Sequence, residues 1–315
     1  MLNLGSRLGN YEVLRNLGHG AFGTVYLVRD VLLDVRRAIK VPFDQSEAGR
    51  EALLRESRVL VGLEHPNIVR LIVCDEQDDV LFVVMEWVEG SPLSRRIEAE
   101  APFPALLAMR IAGQVLTALE HAHRLQLLHG DLSADNILLS DETAKLSDFG
   151  IARTINVAEH GSQHVGNPHY LAPEQFRGEA VFASDIYSMG VVLFEMLTRS
   201  LPYRDPDPKR QQALVEAGGN AHPRRHNATL SRELDAIVAK ALDPMVSKRY
   251  TTAAGLLEDL RELSSFGPAN EELEAVRTRV RATERRSSPP CWGCGRVRSP
   301  HALMCAFCGA DWSDS

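Results

Sequence analysis

The sequence predicts an α+β fold: a small β-rich part, then a larger helical part, then a small metal-bound tail. Three observations carry this. Between residues 11 and 88, short runs of β-branched, aromatic and aliphatic residues alternate with Gly- and Asp-containing turns. From Pro104 to about Ser264 the apolar residues recur at helical spacing instead. Near the C-terminus, Cys291-x-x-Cys294 and Cys305-x-x-Cys308 form two pairs with ten residues between them.

A chain of 315 residues can bury the core of one large or two medium domains. Its formal charge of -7 gives no global attraction to nucleic acid or anionic membrane. The start, MLNLGSRLGN, lacks the basic residues and long apolar core of a secretion signal. No apolar run reaches the roughly 18 to 20 residues of a spanning helix. A soluble, cytoplasmic protein with no membrane partner is expected. Four of the five cysteines lie in the C-terminal pairs, which suits metal binding in a reducing compartment better than disulfides. The fifth, Cys74, reads as a small buried hydrophobe.

Tyr11 to Val41 reads as strands joined by turns, and the first turn is GHGAFGTVY, with Gly18, Gly20 and Gly23 at G-x-G-x-x-G spacing. Dinucleotide-binding turns share that spacing but open directly into a helix. Here Thr24-Val25-Tyr26-Leu27-Val28 continues as a β-branched and aromatic strand, so a hairpin closing over phosphates is favoured. The strand Arg37 to Val41 carries Lys40 in an apolar alternation. A helix is expected over roughly Gln45 to Leu63, followed by strands Ile68 to Cys74 and Val80 to Trp87 around a polar turn Asp75 to Asp79. Pro104 to Gln126 reads as a long amphipathic helix. Between Leu127-Leu128 and Ile137-Leu138-Leu139, both read as short buried strands, the polar residues of HGDLSADN fall on a tight loop, and Asp148 follows. Further helices are expected over Ile186 to Leu197, Pro208 to Gly218, Leu230 to Leu242 and Thr251 to Ser264.

The string H-x-D-L-x-x-x-N followed by D-F-G, from His129 to Gly150, resembles the signature of the protein-kinase family. Lys40 in R-A-I-K-V and Ala172-Pro173-Glu174 match that family's lysine strand and A-P-E in order and spacing. The resemblance covers about Tyr11 to Phe266 and implies a bilobal kinase-like fold, with an N-lobe over 11–88 and a C-lobe over 89–266. It implies Asp131 as catalytic base and Asn136 and Asp148 as ligands of Mg²⁺, with Mn²⁺ as an alternative. Lys40 would contact the ATP phosphates, partnered by Glu56 from the helix. Leu17, Gly18, Gly20 and Gly23 would cover the nucleotide. Backbone groups of Glu86 and Val88 would meet the adenine edge, with Met85 guarding the pocket behind it, Val25 and Ala38 above the ring and Leu138 below. The resemblance further pairs Glu174 with Arg249, sets Asp185 beneath the catalytic loop, and stacks Leu60, Leu71, His129 and Phe149 in one apolar column.

Three positions depart from the family pattern. Gly130 replaces the arginine before the catalytic aspartate, Ser133 replaces the lysine two residues after it, and Asn167 replaces the threonine of G-T-x-x-Y. Without a cation at Gly130, phosphorylation of the segment carrying Thr154 and Ser162 is not expected to be the main switch. H-G-D-L-x-x-x-N is also typical of small-molecule phosphotransferases of this fold. The readings are therefore an ATP-dependent Ser/Thr protein kinase acting on an unidentified protein, a nucleotide-binding pseudokinase scaffold, and a small-molecule kinase, the first being preferred.

Residues 267–290 read as a charged linker, helical from Glu271 through Arg286, with a thin seam at Leu273, Val276 and Val280. A solvated spacer is preferred to a dimer helix. The two cysteine pairs, each followed by glycine, resemble a zinc ribbon over 291–312, with four thiolates around structural Zn²⁺ and a rubredoxin-like iron as alternative. Docking of a protein partner is its preferred role. Nucleic-acid binding, helped by Arg281, Arg285, Arg286, Arg296 and Arg298, is second.

Overall fold

The computed structural model describes residues 2–20, 23–141, 143–149, 167–219 and 221–265. Nearly all of these belong to one unit, Met1–Leu263; the next begins at Ser264. The expected linker helix, the zinc cysteines, Thr154 and Ser162 lie outside the described residues.

The N-lobe is an antiparallel sheet in the order β1-β2-β3-β4-β6-β5, made of Arg7–Leu8 (β1), Tyr11–His19 (β2), Gly23–Asp30 (β3), Val35–Pro42 (β4), Leu71–Gln77 (β5) and Val80–Glu86 (β6). β6 is buried on both faces. Phe82 and Val84 join Val13, Tyr26, Val28 and Ile39 on one side, while Leu81 and Val83 meet Leu53 of the helix Glu47–Leu60 (α1) on the other. That double burial explains why β6 reads as an unbroken apolar run.

Two boundaries differ from the sequence reading. The polar turn is shorter than Asp75 to Asp79: Asp75 and Glu76 pair within β5, and only Asp78 and Asp79, with φ of 50° and 61°, make the hairpin turn. Aspartate tolerates this left-handed conformation, which matches the twist of the flanking strands. Gln45 stays outside α1, because its amide donates to the Pro42 and Leu81 carbonyls and accepts from the Leu81 N–H. Ser46 caps the helix instead, accepting from the Gly49 N–H.

Residues 67–70 leave the N-lobe sheet for the C-lobe. Asn67 accepts from Leu146 and the Val69 N–H donates to Leu146, at 2.8 and 2.9 Å, so the expected strand at Ile68 begins only at Leu71. Leu146 ends a three-stranded sheet in the order β7-β8-β9, formed by Ser91–Pro92, Ile137–Ser140 and Thr143–Leu146.

The C-lobe helices follow the apolar periodicity. Leu93–Glu100 (α2), which the sequence reading passed over, turns Leu93 and Ile97 inward from successive turns. Ala105–Arg124 (α3) packs on Phe182–Thr198 (α5), which is buried along nearly its whole length as the centre of the lobe. Pro173–Phe176 (α4), Pro208–Ala217 (α6), Arg232–Ala241 (α7) and Ala253–Ser265 (α8) complete it. Leu127-Leu128 is not a strand: the Leu127 N–H donates to the Ala122 carbonyl and closes the end of α3. No described helix is long and apolar enough to cross a membrane.

Candidate active site

The sheet register brings several separated residues to one face. Val25 lies opposite Lys40, Leu27 opposite Ala38, and Ala38 opposite Met85, so Val25, Ala38, Lys40 and Met85 point the same way. Gly18 pairs with Val25 and the Gly20 N–H donates to the Gly23 carbonyl, closing the β2–β3 turn beyond Leu17. At Gly23 a side chain has no room, since a Cβ there would lie 2.4 Å from the Val41 carbonyl oxygen.

Lys40 is buried, and its ammonium reaches the Asp148 carboxylate at 2.5 Å, joining residues 108 positions apart. Glu56 lies within α1, but its side chain falls outside the described residues. Asp148 has a left-handed backbone, with φ of 50°. Phe149 behind it is buried against the His129 ring, with centroids 4.9 Å apart. Phe149 also lines a small cavity shared with Lys40, Leu60, Leu71, Met85 and Asp148, so three members of the expected column face one space, and His129 lies against Phe149.

Asp185 organises the loop from inside α5. It accepts from the backbone N–H groups of His129 and Gly130, at 2.9 and 2.8 Å, and meets the His123 Nε2 at 2.8 Å. His129 Nε2 donates to the Ser147 carbonyl, which leaves Nδ1 to accept from the Asp131 N–H. The Asn136 amide nitrogen donates to the Asp131 carbonyl at 2.8 Å, and the Ser147 N–H donates to the Asn136 carbonyl. Asp131, Asn136 and Asp148 are therefore stitched into one array. Burial raises the Asp131 carboxyl above its ordinary value, as does the Asp148 charge, while His129, the Asn167 backbone N–H and Asn136 pull it down.

Asn136 donates through its amide nitrogen to the loop, and its amide oxygen and the Asp148 carboxylate are both hard oxygen donors. That set suits Mg²⁺, which takes one or two protein oxygens and completes its shell with water and phosphate. Among the described residues no three His, Cys, Asp or Glu side chains form a cage of their own.

At the end of β6 the Glu86 N–H donates to the Arg70 carbonyl, so that group is not available to an adenine edge. The Glu86 carboxylate accepts from the Arg70 N–H and from Lys145 of β9. Val88 is buried, and Leu138 sits on β8 opposite Lys145.

On the substrate side, Glu174 and Arg249 form a bidentate ion pair at 2.7 and 3.2 Å, and Ser184 donates to Glu174 at 2.7 Å. Burial would raise the Glu174 carboxyl, but the Arg249 guanidinium and the Ser184 hydroxyl outweigh it and hold it below its ordinary value. Ser133 is buried, and the Asn167 side chain turns back to accept from the His169 N–H. Gln175, which sequence reasoning did not single out, bridges the Ala172 N–H and the Gly130 carbonyl.

Comparison with known proteins finds that the Protein kinase domain family matches residues 11–260. Serine/threonine-protein kinase PrkC of Bacillus subtilis is 35% identical over 278 residues, covering 85% of this chain and 43% of the relative. Serine/threonine-protein kinase PknB of Mycobacterium leprae is 33% identical over 272 residues, with 82% and 43% covered. The chain thus spans less than half the length of these curated relatives. Among solved structures, Rad53 1-466 in complex with AMP-PNP superposes with a TM-score of 0.68 at 28% identity, covering 79% of this chain and 64% of the other.

Proposed function

The chain belongs to the protein kinase family, and from that premise we propose that it transfers the γ-phosphoryl of magnesium-ATP to serine or threonine hydroxyls of a protein substrate. The observation that carries the reading is the convergence of Lys40 and Asp148, from different lobes, beside the loop that holds Asp131 and Asn136. Magnesium-ATP, when bound, supplies the transferable phosphoryl group and the divalent charge that offsets it.

The chain's own residues do the rest. Lys40 holds phosphate oxygens from above, and Asn136 and Asp148 offer oxygens to the metal. Asp131 orients the incoming hydroxyl and takes its proton, in a geometry set by His129 and Asp185. Val25, Ala38 and Leu138 enclose the base, with Leu17, Gly18, Gly20 and Gly23 closing over the phosphates. Met85 backs the pocket, and the Glu86 carbonyl and Val88 face the adenine edge. Gly130 makes this a kinase of non-RD type, with no arginine for an activating phosphate to neutralise. Cys291, Cys294, Cys305 and Cys308 hold a structural zinc in a ribbon that docks a protein partner, and the whole is cytoplasmic.

Incubation of the purified chain with radiolabelled ATP and a general protein acceptor, beside Asp131→Ala, tests the reading. Label on Ser or Thr of protein, lost in the variant, is expected. Transfer to small metabolites alone, or ATP-dependent thermal stabilisation without transfer, overturns it.

A further inference from the structure

Gly130, the residue just before Asp131, is held through both its N–H and its carbonyl by side chains from the helical lobe. The Gly130 N–H donates to Asp185, and its carbonyl accepts from Gln175 Nε2 at 2.9 Å. Gly130 has φ of 73°, in the left-handed region that glycine reaches at little cost. The orientation of the Gln175 amide is fixed, because Ala172 N–H can only donate and the Gly130 carbonyl can only accept.

Gln175 is itself seated rigidly. It follows Glu174, which is buried and locked by Arg249 and Ser184, in a helical turn opened by Pro173. The same segment carries Asn167, whose backbone N–H lowers the Asp131 carboxyl as a hydrogen-bond donor. The substrate-side segment and the catalytic loop thus meet at the Gly130 carbonyl through one neutral hydrogen bond, from Gln175, where the side chain at 130 supplies no cation.

We propose that Gln175 is a positioning residue for Asp131: its amide clamps the Gly130 carbonyl to the turn after Ala172 and holds the catalytic carboxylate toward the substrate hydroxyl. This rests on the kinase reading of Asp131. Because the clamp is uncharged, it needs no phosphate to close it.

Two variants test it in the full-length chain. Gln175→Met keeps the volume and removes both hydrogen bonds, so kcat falls about tenfold while KM for ATP changes less than about twofold. Gln175→Glu keeps the acceptor for Ala172 but turns an anion on the Gly130 carbonyl. Its kcat relative to wild type at the same pH is expected to be low near neutrality and to recover on acidification, as the protonated carboxyl regains a donor. Steric damage alone would not produce that pH-dependent rescue. Amide hydrogen exchange across residues 128–136 gives a readout independent of turnover: faster exchange in Gln175→Met, without loss of global thermal stability, is expected. If wild type transfers phosphate and Gln175→Met retains kcat within about twofold, the clamp is refuted and the kinase reading stands. If wild type transfers none, the kinase reading fails, and with it the catalytic role given to Gln175. Unchanged exchange then also excludes the clamp itself.

Discussion

Arg249→Met removes one member of an ion pair whose side chains are 0% and 4% exposed. The guanidinium serves three partners. It satisfies both Glu174 oxygens, donates to the Ala183 carbonyl at 2.9 Å and, through Nε, donates to the Asp243 carbonyl at 3.0 Å. Methionine fills much of the volume but leaves Glu174 with Ser184 alone and deprives two carbonyls of their donor. Removing one partner of such a buried pair costs about 3–5 kcal/mol, because the charge left behind is uncompensated. For a domain of this size that lowers the melting temperature by roughly 6–20 °C.

The pH dependence gives the sharper test. In wild type the folded Glu174 carboxyl lies below its unfolded value near 4.5, so its contribution is present above that pH and is lost as pH falls through the folded value. In Arg249→Met burial is the dominant influence left, and it raises the carboxyl, so protonation relieves the variant at a pH where wild type is still unaffected. The stability gap should therefore narrow on mild acidification, measured by urea unfolding of both proteins across the acid range. A loss below about 1 kcal/mol, the worth of a surface pair, or a gap independent of pH, would refute the argument.

Three further outcomes are expected. Lys40→Met removes the cation facing Asp148 and should lower phosphoryl transfer by about a hundredfold or more, checked by single-turnover assay, with the fold retained by circular dichroism. Asp131 works deprotonated and its carboxyl is raised, so kcat should fall on the acid side at a pH above the ordinary carboxylate value of 3.8, read from the kcat profile. Cys291→Ser and Cys305→Ser should each reduce bound zinc, measured by elemental analysis; unchanged stoichiometry would remove the tetrathiolate site.

What the sequence made legible was governed by local rules. The α3 and α5 helices follow the apolar period, and the strands around Lys40 follow alternation, because each element buries one face or all of itself. The polar string from His129 to Asp148 stood out because its residue types recur in a fixed order. The amide contacts made by Gln45, Gln114 and Gln175 left no such trace. Each satisfies backbone groups far along the chain, as Gln114 does at the Ala144 N–H, and neither spacing nor composition marks them. Leu127-Leu128 misled for a related reason: an apolar pair closing a helix reads like a strand until the backbone partner at Ala122 is known. The Asp75 to Asp79 run has the acidic composition of a turn throughout, although of these residues only Asp78 and Asp79 have left-handed φ.

The two backbone bonds from Asn67 and Val69 to Leu146 graft an early piece of the polypeptide onto its later half. Lys145 and Glu86 rivet the same corner a short way along. Movement of the sheet against the helical lobe would therefore be most restrained at this corner, where backbone bonds and an ion pair act together.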